Sequence, residues 1–446
     1  MAGLVATLAS PQNWPPSALL LAASLVFLVA VRLLRRPCLP PGASWMEKGL
    51  PLIGCLSFFT KRRDFLRQGK GRSPNGYFSF YYGSYPIVAL SGETGRAAHY
   101  ATRGLDLSAG FRKLFSAGPD IDRLLGRSMK AYFITLFKRL VAREYLATAL
   151  PYLVKDTRAS FEAIDTSVPM DPFVVVYELI YKMTHRTVGC HEIANDPALL
   201  KKTLGYYSKL DKSSAVEVMF PWMPTPTKFG KMWAGTKMQM LLMDIIRSRR
   251  ETGRRADDVM QMQMDKGESD MICSTFIIGS LFAGLVNTGV QSAWIIYYFA
   301  CDPFWYSKVQ GEVDAAVAKY RTSEKQSPVD VLQGLSIEAW ETEFPLLNFG
   351  VRDSIRLNLL GTSMRQNTSG KDITLGDTGI VLPKNAFAIA KLELSISTAM
   401  FFAMFDFKAV DKQGNPKTGP LPRYDSNLIS AGRMLDSIYV KCDRRF

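Results

Sequence analysis

Two long apolar runs interrupt the alternation of hydrophobic and polar positions along this chain. The first extends from Ser17 to Val31 and continues through Leu33 and Leu34 around Arg32. The second extends from Met271 to Ala300 and contains no charged side chain. Runs of this kind raise the question whether each one crosses a membrane.

The central run predicts a buried helix rather than a membrane span. Polar residues such as Asn287 and Gln291 interrupt it, and its glycines at 279, 284 and 289 recur every five residues. That spacing keeps no single helix face for the close helix packing typical of membrane spans. We therefore expect one long helix through the middle of a soluble domain.

The amino-terminal run predicts an uncleaved signal anchor over residues 1–36. Trp14 lies before the run, and Arg32, Arg35 and Arg36 lie at its far end. Because cytoplasmic flanks carry the positive residues, the body should face the cytosol as a single-pass protein. A cleaved signal peptide is the alternative, but no charge precedes the run. The prolines of Pro37–Gly42 then predict a stiff hinge.

The remaining pattern predicts a mainly α fold with small β regions. Residues 77–82 and 85–90, parted by Gly83-Ser84, are typical of a β-hairpin. Between about residues 120 and 233 apolar positions recur every three or four residues, which indicates amphipathic helices. Short strands are expected after Gly361 and near residues 438–440. No linker or repeat divides residues 37–446, which therefore read as one large domain.

Composition narrows the possible functions. The chain has 446 residues, 47% of them hydrophobic, and a net charge of +15. The basic clusters at 61–63 and 247–250 are most simply solvated faces, so no nucleic-acid partner is predicted. The standard nucleotide-binding, serine-hydrolase and zinc-protease motifs are absent from the sequence.

Cysteine and histidine usage predicts reduced thiols and no metal site built from protein ligands. The six cysteines show no Cys-x-x-Cys spacing, and there are only three histidines. Adjacent Cys190 and His191 are interpreted as a partly buried thiol beside a surface imidazole.

Several segments, in order, share a resemblance. Ala283-Gly-Leu-Val-Asn-Thr288 lies inside the long central run, and Gly350-Val-Arg-Asp-Ser-Ile-Arg-Leu357 follows it. Farther along, the run Leu382–Ile389 passes directly into Ala390–Ile396. With the anchor and the proline hinge, these segments resemble a fungal cytochrome P450 monooxygenase from anchor to tail.

The resemblance implies roles for particular residues. Thr288 and Asn287 stand where the family's alcohol and acid deliver protons to oxygen, and an amide cannot perform the acid's exchange. Asp353 and Arg356 stand where the family has its structural Glu-x-x-Arg pair. Arg365 is a candidate ligand of a haem propionate.

The resemblance also identifies a missing part. The family's haem-binding loop, which supplies the Cys thiolate that ligates iron, should lie between Ile389 and Ala390, where this chain has no cysteine. Ala390 onwards resembles the helix that follows that loop. No iron ligand is therefore assigned, although haem is the cofactor that the family implies.

Function and location follow from the same resemblance. The implied reaction inserts one oxygen atom of O2 into a small apolar substrate, terpenoid, steroid-like or lipid, in fungal secondary metabolism. Electrons would come from NADPH-cytochrome P450 reductase, at the endoplasmic reticulum membrane. The alternative is a haem-free, inactive P450-derived membrane protein, either a splice or gene-model variant or a binding partner.

Overall fold

The computed structural model describes residues 15–34, 36–40, 42–47, 49–51, 53–114, 129–212, 216–217, 220, 223–358, 362–391, 404–417 and 437–444, some of them by backbone alone. The chain divides into two compact units. The first comprises Met1–Leu114 and Ser363–Ala390, and the second comprises Phe115–Thr362 and Lys391–Phe446.

The first unit is built on a six-stranded sheet with strand order β1-β2-β3-β8-β5-β4. Its strands are β1 (Ser44–Glu47), β2 (Phe78–Tyr82), β3 (Tyr85–Ala89), β4 (Leu105–Asp106), β5 (Thr362–Asn367) and β8 (Phe387–Lys391), and a separate ribbon pairs β6 (Ile373–Thr374) with β7 (Val381–Leu382). The helices are α1 (Pro16–Leu34), α2 (Leu56–Thr60), α3 (Arg62–Arg72), α4 (Gly92–Ala101), α5 (Leu107–Leu114) and the 3-10 turn Gly376–Thr378.

The predicted hairpin and the late strands are confirmed. Strands β2 and β3 pair antiparallel with Tyr82 opposite Tyr85, and Gly83 adopts φ 61° in the two-residue turn. The rings of Phe58 and Phe80 lie 4.9 Å apart between helix α2 and this hairpin. Aromatic residues at alternate strand positions thus form the core of the first unit.

The second unit is a helical body with one two-stranded ribbon. Its helices are α6 (Met129–Leu140), α7 (Arg143–Glu162), α8 (Pro172–Val188), α9 (His191–Asn195), α10 (Pro197–Leu210), α11 (Pro226–Thr252), α12 (Val259–Asp265), α13 (Asp270–Cys301), α14 (Pro303–Tyr320), α15 (Pro328–Gln333), α16 (Ile337–Thr342) and α17 (Pro345–Asn358). Strands β9 (Phe405–Val410) and β10 (Tyr439–Arg444) pair antiparallel.

Helix α13 confirms the prediction of one long helix over the central apolar run. Ser269 caps its amino end by accepting a hydrogen bond from the Ile272 amide. At the other end Asp302 accepts from the amides of Phe304 and Trp305 and starts helix α14, whose first residue is Pro303. Trp294 and Tyr297 are fully buried, so α13 is a core helix.

The predicted membrane anchor is not supported. Helix α1 covers the amino-terminal run, and its apolar side chains are exposed, with Leu21 at 73% and Phe27 at 67%. Within the described part of the chain, however, no helix meets the length and apolarity needed to cross a membrane.

The prediction of solvated faces is wrong for one arginine in each basic cluster, and the prediction of a surface imidazole at His191 is wrong. Arg62 and Arg249 are each 3% exposed, so neither cluster is simply a solvated face. His191 is also buried, at 8%. The long aliphatic stems of arginine pack well against apolar neighbours, which a charge count along the sequence does not register.

Candidate functional site

Glycines along α13 admit neighbouring helices at close range. A Cβ on Gly284 would lie 3.1 Å from Cγ2 of Thr184, and one on Gly289 would lie 2.7 Å from the ring of Tyr177. Both neighbours belong to helix α8. The glycines therefore have a packing role here.

The predicted oxygen-activating residues are only partly described. Thr288 lies on α13 and is half-buried. The side chain of Asn287 lies outside the described residues, although its backbone is helical. The roles of both residues stay predictions.

Helix α17, which carries the second motif, packs on helix α13. The Ser354 hydroxyl donates to Oε1 of Gln291 at 3.0 Å, and both side chains are buried. Asp353 is exposed on α17, and the side chain of Arg356 lies outside the described residues. The structure thus brings the two motif-bearing helices together, while the Asp353–Arg356 pair stays a prediction.

Arg365 lies on β5 in a polar cluster of the first unit. Its Nη1 donates to the backbone oxygen of Tyr100 at 3.2 Å, and its guanidinium carbon lies 5.3 Å from the centre of that residue's ring. Its Nε is buried and has no hydrogen-bond partner among the described residues. A buried donor left open is what a carboxylate ligand would satisfy.

His99 and Ser363 accompany Arg365. His99 Nε2 lies 3.0 Å from the Ser363 hydroxyl oxygen, in a buried contact. Burial, reinforced by the charge of Arg365, lowers the pKa of His99 to about 4. His99 is therefore neutral at pH 7, and Arg365 carries the positive charge. Sequence reasoning missed this pair because its members stand far apart in the chain.

The Ile389–Ala390 junction lies inside a regular strand. Strand β8 runs through both residues and pairs parallel with β3, with Ala89 opposite Ile389. The expectation that a helix begins at Ala390 is thus wrong for Ala390 and Lys391, whose backbone continues strand β8 of the six-stranded sheet. Residues 392–403 lie outside the described residues. The division between the two compact units falls between Ala390 and Lys391.

The cysteines do not fit the role of an iron ligand. Cys55, Cys190, Cys273 and Cys442 are buried, Cys301 is half-buried, and Cys38 is exposed in the segment after α1. Burial raises the pKa of Cys273 and Cys442 to about 12 and also raises that of Cys190. None of the six cysteines lies in the segment around Ile389–Ala390, where the resemblance expects the axial thiolate. Among the described residues no group of three or more His, Cys, Asp or Glu side chains is arranged to hold a metal ion.

The described residues therefore fit one part of a haem site, the propionate contact, but not the axial ligand. Arg365, with its open buried Nε, suits a propionate. The cysteines supply no thiolate at the Ile389–Ala390 junction, where the resemblance places the axial ligand. The residues present do not complete a haem-thiolate site.

Comparison with known proteins finds relatives along most of the chain. The cytochrome P450 monooxygenase AacuE of Aspergillus aculeatus is 27% identical over 398 residues, which cover 86% of this chain and 76% of the relative. The monooxygenase nsrP of Aspergillus novofumigatus is 28% identical and dmxR5 of a Cryptosporiopsis species 25%, each over 76% of this chain and 68% of the relative. No protein-family model matches.

Proposed function

We infer that this chain is of the fungal cytochrome P450 monooxygenase kind, because several such enzymes are homologous to it over most of its length. That homology is the observation that carries the proposal. The mainly helical fold with small sheets agrees with it. The lineage is thus an oxidoreductase lineage whose cofactor is haem.

The finer proposal concerns substrate and partners. We propose oxidation of a small apolar substrate, terpenoid, steroid-like or lipid, in fungal secondary metabolism. Its support is the apolar character of helix α13, together with the fungal origin and the monooxygenase names of the relatives. Electrons are proposed to come from an NADPH-cytochrome P450 reductase, whose acidic surface a net charge of +15 would favour.

The competent enzyme is proposed to contain a loop that this polypeptide lacks. In that form Arg365 would bind a haem propionate, and a cysteine inserted between Ile389 and Ala390 would supply the thiolate. Without the insertion we propose that the chain is haem-free and inactive. The continuous strand β8 across the junction and the lack of a cysteine in that segment support this second candidate.

We propose a membrane location from the side chains of helix α1 and the residues that follow it. The exposed apolar side chains of α1, followed by Arg36 and a proline-rich segment, suit attachment to the endoplasmic reticulum membrane with the body facing the cytosol.

Sequencing of the transcript across codons 389 and 390 tests the proposal, together with spectra of two recombinant proteins. The first is this chain and the second is the product of any longer message. We expect a longer message with a Cys-containing loop, whose product shows the absorption band of reduced, CO-bound haem-thiolate. This chain should show none. Such a band from this exact sequence would contradict the haem-free proposal, and a short message alone would favour it.

A further inference from the structure

A groove between helices α10 and α11 combines an apolar floor with a basic rim. It encloses about 500 Å³ on the second unit, a size that suits a small-molecule ligand. Leu199 on α10 and Leu241 and Ile245 on α11 are half-buried along it. The spacing of four residues between Leu241 and Ile245 places the α11 pair on one helix face.

The rim carries cations that have no acidic partner among the described residues. Lys202, Lys237 and Arg254 line the groove with exposed side chains. None of the three forms an ion pair with a carboxylate in the described part of the chain. Long side chains held around one groove can close on a ligand's anionic group at little cost in backbone movement.

The two carboxylates that line the groove have partners of their own. Glu192 lies 2.5 Å from Nη2 of Arg249. Asp244 lies 3.3 Å from Nη1 of Arg247. The lining has four cationic side chains against these two carboxylates, so the groove keeps an excess of positive charge.

Its base is rigid. Arg249 is 3% exposed and donates to both carboxylate oxygens of Asp258, at 2.9 and 2.5 Å. A bidentate pair of this kind fixes the end of α11 against the start of α12. The groove is thus a shaped feature rather than a gap between loose helices.

We propose that this groove binds an amphipathic monoanion, a long-chain carboxylate, with its chain along Leu241 and Ile245 and its carboxylate at Lys202 and Lys237. The site involves no haem and does not depend on the loop missing at the Ile389–Ala390 junction. It therefore stands or falls separately from the proposed monooxygenase function.

Photolabelling of the purified full chain in nanodiscs of neutral phosphatidylcholine tests the proposal. The probe is dodecanoate that carries a diazirine on its chain, and labelled peptides are mapped by mass spectrometry. We expect label within residues 199–206 and 237–248, displaced by excess dodecanoate but not by dodecanol or inorganic phosphate. Equal displacement by dodecanol, or by phosphate alone, would overturn the proposal.

Variants at the rim sharpen the test. Lys202→Glu with Lys237→Glu should reduce labelling of these peptides at least tenfold. Lys201→Glu, which makes half of that charge change one residue away and off the groove, should leave it within twofold. Met240→Glu, at a half-exposed lining position, should reduce labelling without a change in the core. Equal labelling of the double variant and the Lys201 control would refute the assignment.

Discussion

Arg249 and Asp258 form a buried, bidentate ion pair in which the two side chains are 2% and 0% exposed. Glu192 contacts the same guanidinium at 2.5 Å. The pair joins the last turns of helix α11 to the first residues of helix α12, since Asp258 also accepts hydrogen bonds from the amides of Gln261 and His191.

Removal of the arginine should destabilise the second unit strongly. Arg249→Met leaves Asp258 and Glu192 without their cation, and stranded buried charge typically costs about 3 to 5 kcal/mol. The free energy of unfolding, measured by urea titration, should fall by that amount. The control is Arg247→Met, whose pair with Asp244 is about two-thirds exposed on both sides. It should change stability by less than about 0.5 kcal/mol, and equal losses from both variants would contradict the packing described.

Helix α13 should be intolerant of an added methyl group at Gly289. A Cβ there would lie 2.7 Å from the Tyr177 ring, so α8 and α13 would have to separate or the ring would have to turn. Gly289→Ala should lower the unfolding free energy by about 1 to 3 kcal/mol.

Gly311 offers the matched control for that substitution. It lies in helix α14, and a Cβ there has no neighbour within 4 Å. Gly311→Ala should stabilise the protein by about 0.4 to 1 kcal/mol, because it restricts the unfolded chain without a steric cost. Thermal unfolding of the two variants should show a lower melting temperature for Gly289→Ala and a higher one for Gly311→Ala. Stabilisation by both substitutions would mean that helix α8 does not pack closely against Gly289.

Acid should destabilise the protein through His185. Burial lowers the pKa of His185 to about 3, and the charge of nearby Asp258 offsets this in part. Neither ring nitrogen has a hydrogen-bond partner among the described residues. An unfolded histidine has a pKa of about 6.5. Between these values the unfolded chain binds more protons, so stability falls as pH drops from about 6.5 toward 3, by at most about 1.4 kcal/mol per pH unit.

Urea titrations at pH 7 and pH 5 check this dependence. His185→Leu should reduce the loss of stability between the two pH values. Tyr181→Phe, at the ring that packs edge-on 4.8 Å from His185, removes no group that titrates in this range and should keep the full loss. An unchanged slope in His185→Leu would show that His185 does not drive the acid sensitivity.

The sequence pattern predicted the elements whose structure depends on neighbouring residues in the chain. The apolar run of α13 and the hairpin of β2 and β3 need only periodicity and turn residues. Strand β8, which ends at Lys391, pairs through Phe387–Ile389 with β3, about 300 residues earlier in the sequence, so a segment-by-segment resemblance to a helix could not show it. The contacts of Arg365 with Tyr100 and the neighbouring His99–Ser363 pair are likewise products of tertiary pairing.

Arg62 is buried, although the sequence pattern predicts a solvated face for residues 61–63. Its guanidinium carbon lies 4.6 Å from the centre of the Phe58 ring, and its Nε and Nη1 are buried with no partner among the described residues. Burial, partly offset by Tyr82, lowers the pKa of Arg62 to about 10. The folded state thus holds a charge that it solvates poorly.

Arg62→Met should therefore stabilise the first unit by about 1 kcal/mol, because Met keeps the straight stem and the helix propensity while removing the unpaired charge. Arg67→Met, on the exposed face of the same helix, should change the unfolding free energy by less than about 0.5 kcal/mol. Urea titration of the two variants measures the difference. A loss of more than about 1 kcal/mol in Arg62→Met alone would mean that the cation–π contact and the solvation of the guanidinium together outweigh the cost of its burial.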